Sequence, residues 1–360
     1  MMLRWRGEIF MLERKQMVKM SDIAEEAGVS IVTVSNALSG KKGVSDEMRA
    51  EIQKIAEKLG YEPHLKGKKQ NQIQKIHYIG VLISERYVVQ ANSFYMEIYR
   101  KIVAAGQEKQ LFCCLEILKT SAELEMQMPD LLGNTMLEGI IVIGGIKPPY
   151  IKKLKKSAKI SFVCVDFLEN IPDVDFIISD GYQGTFLLTE QLISMGHKDI
   201  AFVGTIRATT SINDRYMGFQ KAMLQAGISV RKEWVIPDRK MYDLNVEVEI
   251  PFQLWKDSDC DMPTAYVCNC DLTAAMLIEK LEERGFSVPE DVSVTGFDHY
   301  LLPEMKGKKL TTYSVNIEKM AEESVKKIWK AIENSEEKKG LKILSGELIE
   351  GETIRAIKPY

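Results

Sequence analysis

The sequence predicts an α/β protein in which a small all-α helix-turn-helix headpiece precedes two doubly wound parallel-sheet subdomains. Two observations support this prediction. Apolar residues recur at helical spacing before residue 63, and near-continuous apolar strands alternate with amphipathic helices from Ile76 onward. The second pattern is typical of a parallel sheet that is covered on both faces. A length of 360 residues accommodates a headpiece and two such subdomains.

The headpiece prediction rests on residues 20–38, which have the pattern of two short helices joined by a tight turn. Gly28 is suited to end the first helix, and the Ser30 hydroxyl can cap the second, residues 31–38. That second helix leaves a polar face exposed, which is the layout that fits the major groove of DNA. An ordinary helical hairpin is the alternative at this point. A third helix over residues 46–59 closes a three-helix core.

These residues resemble the DNA-binding headpiece of the LacI family of bacterial transcription regulators. The matching residues, in the family's order and spacing, are Asp22, Ile23, Ala24, Ala27, Gly28, Val29, Ser30, Thr33, Val34, Ser35, Leu38, Ser39, Gly40, Val44, Ser45, Gly60, Tyr61 and Pro63. A motif of this length is specific. The resemblance implies a transcription regulator, with repression as the expected sign, that binds double-stranded operator DNA as a homodimer.

Two segments flank the headpiece, which spans residues 17–63. Residues 1–16 precede the family's usual start, and we assign them no fold. Residues 64–75 form a basic linker, and in the family this stretch folds on DNA into a hinge helix whose leucine wedges into the minor groove. In this chain the family's leucine position falls at Gln70, and Leu65 is the candidate that replaces it. A flexible basic tether is the alternative to an ordered hinge.

The remainder, residues 76–360, is predicted to be an effector-binding and dimerisation domain of two subdomains. We place the N-subdomain at residues 76–178 and 311–335, and the C-subdomain at residues 179–310 and 336–360, with two short strands predicted over residues 341–348 and 353–357. Matches to the effector domain of the same family, which has the periplasmic sugar-binding fold, are Asp180, Gly181, Gly184, Gly196, His197, Lys198, Arg215, Gly218, Phe219, residues 288–294, Gly296, Phe297 and Asp298. The resemblance implies that a small effector, a sugar or a derivative, binds between the subdomains.

On the predicted second helix, Ser30, Thr33 and Ser35 match family positions that donate to phosphates, which set register without reading sequence. Base reading is left to Ile31, Val32 and Asn36. The family usually has Arg where Asn36 stands. Because Asn pairs with adenine and apolar side chains contact thymine methyls, we expect A·T pairs in the half-site. A phosphate contact is the alternative role for Asn36.

In the predicted cleft, Phe94 and Tyr95 match family aromatics that stack on a ligand, with core packing as the alternative. Arg215 stands at the family's ligand-arginine position. Asp298 follows an apolar strand, where its carboxylate can accept sugar hydroxyls or pair with Arg215. Helix capping is its alternative.

Comparison with the family suggests three further cleft residues, at or near positions where this chain differs from the family's usual residues. The family's Asn-Asp pair reads Cys270-Asp271 here, with Asn269 one residue earlier, and the family's crossover Gln is Val315. Part of the usual polar shell is therefore replaced, which favours a less hydroxyl-rich ligand or a different pose. Tyr242 is a candidate for an aromatic wall. The predicted effector set therefore includes Tyr242, Asn269 and Cys270.

Composition indicates which partners and classes to expect. Through Lys75 the chain has 14 Lys and Arg against 10 Asp and Glu, whereas the rest has 34 against 41. A basic head on an acidic body suits a protein that touches phosphates at one end. No nucleophile elbow, phosphate loop or metal-ligand spacing occurs, so we predict no enzyme, no cofactor and no metal site.

The sequence also bears on location and on rival classes. No apolar run is long enough to span a bilayer, and the N-terminus lacks the apolar core of a signal peptide, so we expect a cytoplasmic protein without membrane contact. A stand-alone sugar-binding transport protein is the rival class. Within the regulator class, the alternative to a repressor is an activator, or a regulator whose ligand strengthens DNA binding.

Overall fold

The computed structural model describes residues 18–41, 43–59, 61, 76–88, 93–133, 136–158, 160–240, 262–300, 308–333 and 338–357. The predicted linker with Leu65, the predicted cleft residue Tyr242 and residues 1–16 lie outside this described part. The chain divides into two units, Met1–Gln74 and Lys75–Tyr360.

The first unit contains three helices, α1 (Met20–Glu26), α2 (Ile31–Leu38) and α3 (Asp46–Leu59). They enclose one small apolar core, formed by Ile23, Ala24, Val34, Ala37, Ile52, Ala56 and Tyr61. Gly28 joins α1 to α2 with φ at +65°, a left-handed conformation that favours glycine. The predicted helix-turn-helix fold class is confirmed.

The second unit begins with a six-stranded parallel sheet, in the order β11-β5-β4-β3-β1-β2. Its strands are β1 (His77–Ser84), β2 (Leu111–Leu118), β3 (Leu137–Ile143), β4 (Ser161–Val165), β5 (Asp175–Ser179) and β11 (Leu341–Leu344). The covering helices are α4 (Phe94–Gln107), α5 (Thr120–Leu124), α6 (Pro148–Ser157) and α10 (Ile317–Ile332). Buried apolar residues line both faces of the sheet, and we call this body the first lobe.

A four-stranded parallel sheet, in the order β7-β6-β8-β9, forms the second lobe. Its strands are β6 (Ile200–Val203), β7 (Val235–Ile236), β8 (Ala265–Cys268) and β9 (Ser293–Thr295). Helices α7 (Gly181–Ser194), α8 (Thr210–Gln225) and α9 (Asp271–Glu283) cover it. Buried apolar clusters again occupy both faces, so the prediction of two doubly wound subdomains is confirmed.

The end of the chain differs from the sequence-based expectation. We predicted that residues 336–360 belong to the C-subdomain, with one strand over residues 341–348. Instead β11 pairs in parallel with β5 at the edge of the first sheet. The chain then turns, and β12 (Glu347–Ile349) pairs antiparallel with β10 (Thr312–Ser314). An ion pair between Lys342 and Glu323 of α10, 2.6 Å long, helps to hold β11 on the first lobe.

Among the helices in the described ranges, none combines the length and apolar character that a bilayer crossing requires.

Candidate functional site

Helix α2 carries the six predicted DNA-contacting residues that the structure describes. At its start, the Ser30 hydroxyl accepts a hydrogen bond from the Thr33 backbone N–H at 3.1 Å, as predicted for an N-cap. The side chains of Ile31 and Val32 are 53% and 68% exposed, whereas Val34 and Ala37 are buried in the core. The first turn of α2 is therefore exposed to solvent, whereas the opposite face of the helix packs against the headpiece core.

The other predicted residues lie around the same helix. The Thr33 hydroxyl is 2.8 Å from the Ser30 hydroxyl, and Ser35 and Asn36 are partly exposed near the C-terminal end. The structure thus brings Ser30, Ile31, Val32, Thr33, Ser35 and Asn36 together on one short element. Leu65, the seventh predicted residue, lies outside the described part.

In the second unit, Arg215 lies where the two lobes meet. It projects from α8, is 5% exposed, and its Nη2 donates to Asp298 Oδ1 at 3.1 Å. Its Nη1 donates to the backbone carbonyl of Asn269 at 2.5 Å, and its guanidinium lies 4.0 Å from the centre of the Phe297 ring. The guanidinium is therefore fixed by an ion pair, a carbonyl and an aromatic face.

Asp298 completes this arrangement from the carboxyl end of β9. Its backbone adopts φ +105°, which is unusual for a side-chain-bearing residue and aims the carboxylate at Arg215. Burial raises the pKa of Asp298 to about 6, and the positive charge of Arg215 limits the rise. The predicted proximity of Asp298 and Arg215 is present in the structure.

Aromatic side chains of the first lobe face this polar group. Tyr95 packs against Tyr87 with ring centres 4.2 Å apart, and Phe94 lies edge-on to Tyr95 at 5.4 Å. Phe94 also lies edge-on to Tyr300 of the second lobe at 5.6 Å. The Tyr300 hydroxyl donates to the Ser93 carbonyl at 3.2 Å, which links the two lobes directly.

Asp166 is a second buried carboxylate near Arg215 that sequence reasoning missed. It follows β4 directly, is 5% exposed and has φ +64°. Burial raises the pKa of Asp166 to about 7, while Arg215 and a hydrogen bond from the Tyr95 side chain oppose the rise. A carboxylate at the end of an apolar strand was the signal that identified Asp298, and the same criterion identifies Asp166.

A buried carboxylate, Asp238, ties three loops of the second lobe together. It accepts hydrogen bonds from the Thr205 N–H, the Asn269 amide, the Thr273 hydroxyl and, through both oxygens, the Arg239 guanidinium. These donors stabilise the charged form, so the pKa of Asp238 is lowered although burial opposes this. Asn269 therefore uses its amide within this network, behind the cleft surface.

The remaining predicted cleft positions lie in two different surroundings. Cys270 lies beside this network, with its sulfur 3.1 Å from the Thr273 hydroxyl, and burial raises the pKa of its thiol. The Val315 side chain belongs to the apolar core of the first lobe. Arg239, which sequence reasoning also missed, belongs to the same network, and its positive charge opposes the rise of the Cys270 thiol pKa.

Within the described ranges, no group of three or more His, Cys, Asp or Glu side chains is arranged to hold a metal ion. The arrangement instead offers hydrogen bonds and aromatic faces to an organic ligand, from carboxylates, guanidinium groups and tyrosines.

Two family descriptions match separate parts of the chain. Residues 19–64 match "Bacterial regulatory proteins, lacI family", and residues 189–354 match "Periplasmic binding protein-like domain". These two ranges contain α1 to α3 and most of the second lobe.

Relatives of known name extend the similarity over most of the chain. Catabolite control protein A of Priestia megaterium is 28% identical over 297 residues, covering 82% of this chain and 86% of the relative. The HTH-type transcriptional repressor PurR of Vibrio vulnificus is 26% identical over 347 residues, covering 95% and 100%. The HTH-type transcriptional regulator DegA of Bacillus subtilis is 28% identical over 313 residues, covering 84% and 88%.

Solved structures share the fold. The transcriptional regulator CelR–cellobiose complex superimposes with a TM-score of 0.67 at 21% identity, covering 93% of this chain and 99% of that one. The lac repressor dimer bound to operator and an anti-inducer gives a TM-score of 0.63 at 21% identity, covering 95% and 100%. At this identity the two structures bear on the architecture alone.

Proposed function

The chain belongs to the LacI family of bacterial regulatory proteins, and from that premise we propose that it represses carbohydrate-utilisation genes in response to a sugar-like effector. As a member of the family it is a DNA-binding transcription regulator. The observation that carries the proposal is α2, a capped helix that displays Ile31 and Val32 to solvent on a chain that also contains a two-lobed ligand-binding fold.

On the DNA side, α2 enters the major groove. Ser30, Thr33 and Ser35 donate to phosphates, while Ile31, Val32 and Asn36 face base edges. A homodimer places two copies of α2 on the two halves of a pseudo-palindromic operator. Leu65 remains the candidate for minor-groove insertion if the linker orders on DNA.

On the effector side, the ligand lies against Phe94 and Tyr95 and hydrogen-bonds to Arg215 and Asp298. Cys270 forms the neighbouring wall, with Asn269 behind it and Tyr242 as a further aromatic candidate. Two relatives' structures carry sugars by their names, cellobiose and ribose, and carboxylates with stacked rings suit such ligands. Binding stabilises one closure angle of the two lobes and so changes operator affinity.

We also propose that the protein acts in the cytoplasm, without a cofactor and without catalysis. Two of the relatives named above are by name a transcriptional repressor and a transcriptional regulator. A regulator must reach chromosomal DNA, and this requirement supports the cytoplasmic location.

The test is selection of binding sites from random duplexes by the full-length protein. We expect a two-fold symmetric consensus with A·T pairs opposite Asn36, and we expect Asn36→Arg to move that preference toward G·C. Gel-shift titrations with cellobiose, ribose and glucose then measure the effect of ligand. A binding profile without any sequence preference would refute the proposal of a sequence-specific regulator and favour a transport-type sugar-binding protein. Tighter DNA binding with sugar would favour an activator or a co-repressor-dependent regulator.

A further inference from the structure

Arg49 forms a cluster of contacts with the end of α2 that the proposed DNA-reading role does not use. It lies in the first turn of α3, and its Nη1 donates to the backbone carbonyls of Ala37 at 2.7 Å and Asn36 at 3.3 Å. Its Nη2 donates to the carbonyl of Lys41 at 2.8 Å. One guanidinium therefore holds the last turn of α2 and the loop that follows it.

These contacts matter because α2 is short. It has eight residues, and a helix of that length is marginal without tertiary contacts. Its last carbonyl groups have no partners further along the helix, so other donors must satisfy them. Gly40, at φ +73°, turns the chain so that the Lys41 N–H reaches the Asn36 carbonyl at 3.0 Å. Arg49 adds a positive charge at the same negative helix end.

The same turn carries Asn36, the residue proposed to read a base. A bidentate contact between an amide side chain and adenine requires both hydrogen bonds to fit at once. A small rotation of this turn therefore weakens discrimination at one base pair, whereas contacts from Ser30 and Thr33 at the other end of the helix are unaffected. The position of Asn36 depends on what fixes its backbone, and Arg49 bonds that backbone directly.

We propose that Arg49 is a positioning residue for base discrimination: it sets where Asn36 meets the base edge and makes no phosphate contact itself. This inference rests on the proposed function, because it requires that α2 reads DNA. Three of the guanidinium N–H groups already point at backbone carbonyls, and the side chain is partly buried. Both facts favour a role inside the headpiece over a role at the DNA backbone.

The experiment compares full-length wild type with Arg49→Lys and Arg49→Met on the selected consensus and on every single-base variant of it. We expect discrimination at the base pair opposite Asn36 to fall about tenfold, with the other positions changing less than about twofold. Lys58→Met is the matched control, since it removes a cation from α3 whose partner, Glu26, lies on α1. This control should leave the whole profile unchanged.

Two further measurements separate positioning from other roles. The slope of log affinity against log salt should stay at the wild-type value, whereas a lost phosphate contact would reduce it by about one. In an Asn36→Ala background, Arg49→Lys should cause no further loss at that base pair, because the two residues act through one contact.

Each other result would overturn the inference. An equal loss at all positions with a lower melting temperature would assign Arg49 a stabilising role only, and a reduced salt slope would assign it a phosphate contact. Wild-type discrimination in both Arg49 variants would remove any role. If the wild-type protein itself showed no sequence preference, the proposed function would fail, and this inference with it.

Discussion

Arg215 illustrates at the scale of one residue how a buried charge organises the cleft. Its side chain meets Asp298, the Asn269 carbonyl and the Phe297 ring, which come from the ends of two adjacent strands of the second lobe. A buried guanidinium is tolerated only when such partners replace water. The Arg215 side chain is thus held rigidly by its partners in the folded chain.

Arg215→Met should destabilise the second unit by about 3 kcal/mol at neutral pH, because it leaves the buried Asp298 carboxylate without the cation that limits the rise of its pKa. Urea unfolding of the full chain, followed by the fluorescence of buried tryptophan, measures the change. Glu322→Gln breaks an exposed ion pair with Lys319 and should cost less than about 1 kcal/mol. Equal effects of the two substitutions would contradict this account of Arg215.

The pH dependence of stability should contain a contribution from Asp166. Its pKa is raised from 3.8 to about 7 in the folded chain, so the folded state binds this proton more tightly than the unfolded state does. Ionisation of Asp166 therefore lowers stability as the pH rises from about 4 to about 7. Asp166→Asn removes this penalty.

We expect Asp166→Asn to raise the melting temperature relative to wild type at pH 8, with the difference shrinking toward pH 5. Thermal unfolding across that pH range measures it. Asp214→Asn is a useful comparison, because the pKa of Asp214 is also raised by burial but the residue is more exposed. A melting difference for Asp166→Asn that does not vary with pH would show that this carboxyl titrates normally.

The sequence predicted some cleft residues and not others for identifiable reasons. Arg215 and Asp298 were predictable from family motifs and from a carboxylate after an apolar strand. Asn269 could not be placed, because its amide turns toward Asp238, a residue far from it in the chain. Contacts of this kind depend on how loops from different strands meet, and periodicity carries no information about that.

At the scale of elements, the contact between Tyr300 and the start of α4 links the lobes. The Tyr300 hydroxyl donates to Ser93, and its ring lies against Phe94. A second link is formed where the Ser211 hydroxyl donates to the Asp166 carbonyl at 3.1 Å. The lobes are therefore closed against each other at two places beside the cleft.

Tyr300→Phe should loosen this closure, since a hydrogen bond of this kind contributes about 0.5–1.5 kcal/mol. Amide hydrogen exchange should quicken about threefold to tenfold at Tyr95 and Leu168, which lie beside the two links. Tyr150→Phe is the matched control, because its hydroxyl bonds to Gln127 within the first lobe alone. Identical exchange in the Tyr300 variant and wild type would exclude a role for this contact in closure.

Apolar spacing in the sequence predicted the central helices and strands but not the elements after residue 340. The headpiece helices and the central strands were predictable because their apolar spacing is regular. Residues 341–348 read as one strand, but Gly346 lies against Ser314 and Tyr313 so closely that no side chain fits, and the chain turns there. The predicted strand over residues 353–357 is irregular backbone, because its hydrogen bonds go to Val294, Ser293 and Met195 rather than to one neighbouring strand.

At the scale of the whole molecule, ligand and DNA affinities should be coupled. If effector binding changes operator affinity by some factor, operator binding must change effector affinity by the same factor. Calorimetry of the intact dimer with a sugar that shifts DNA binding, with and without operator, measures both. Equal ligand affinities in the two conditions would show that the lobes and the headpiece do not communicate.

The course of the C-terminal segment affects how the protein can be handled. Residues 341–344 complete the edge of the first sheet, and the next turn delivers Thr353 to Val294 in the second lobe. Each lobe is therefore completed by residues that follow both lobes in the chain, so neither lobe can be expressed alone as a contiguous gene fragment. A stop codon near residue 340 should yield aggregated or proteolysed chain. A circular permutant that keeps residues 341–353 should fold, because both lobes retain the contacts that this segment makes.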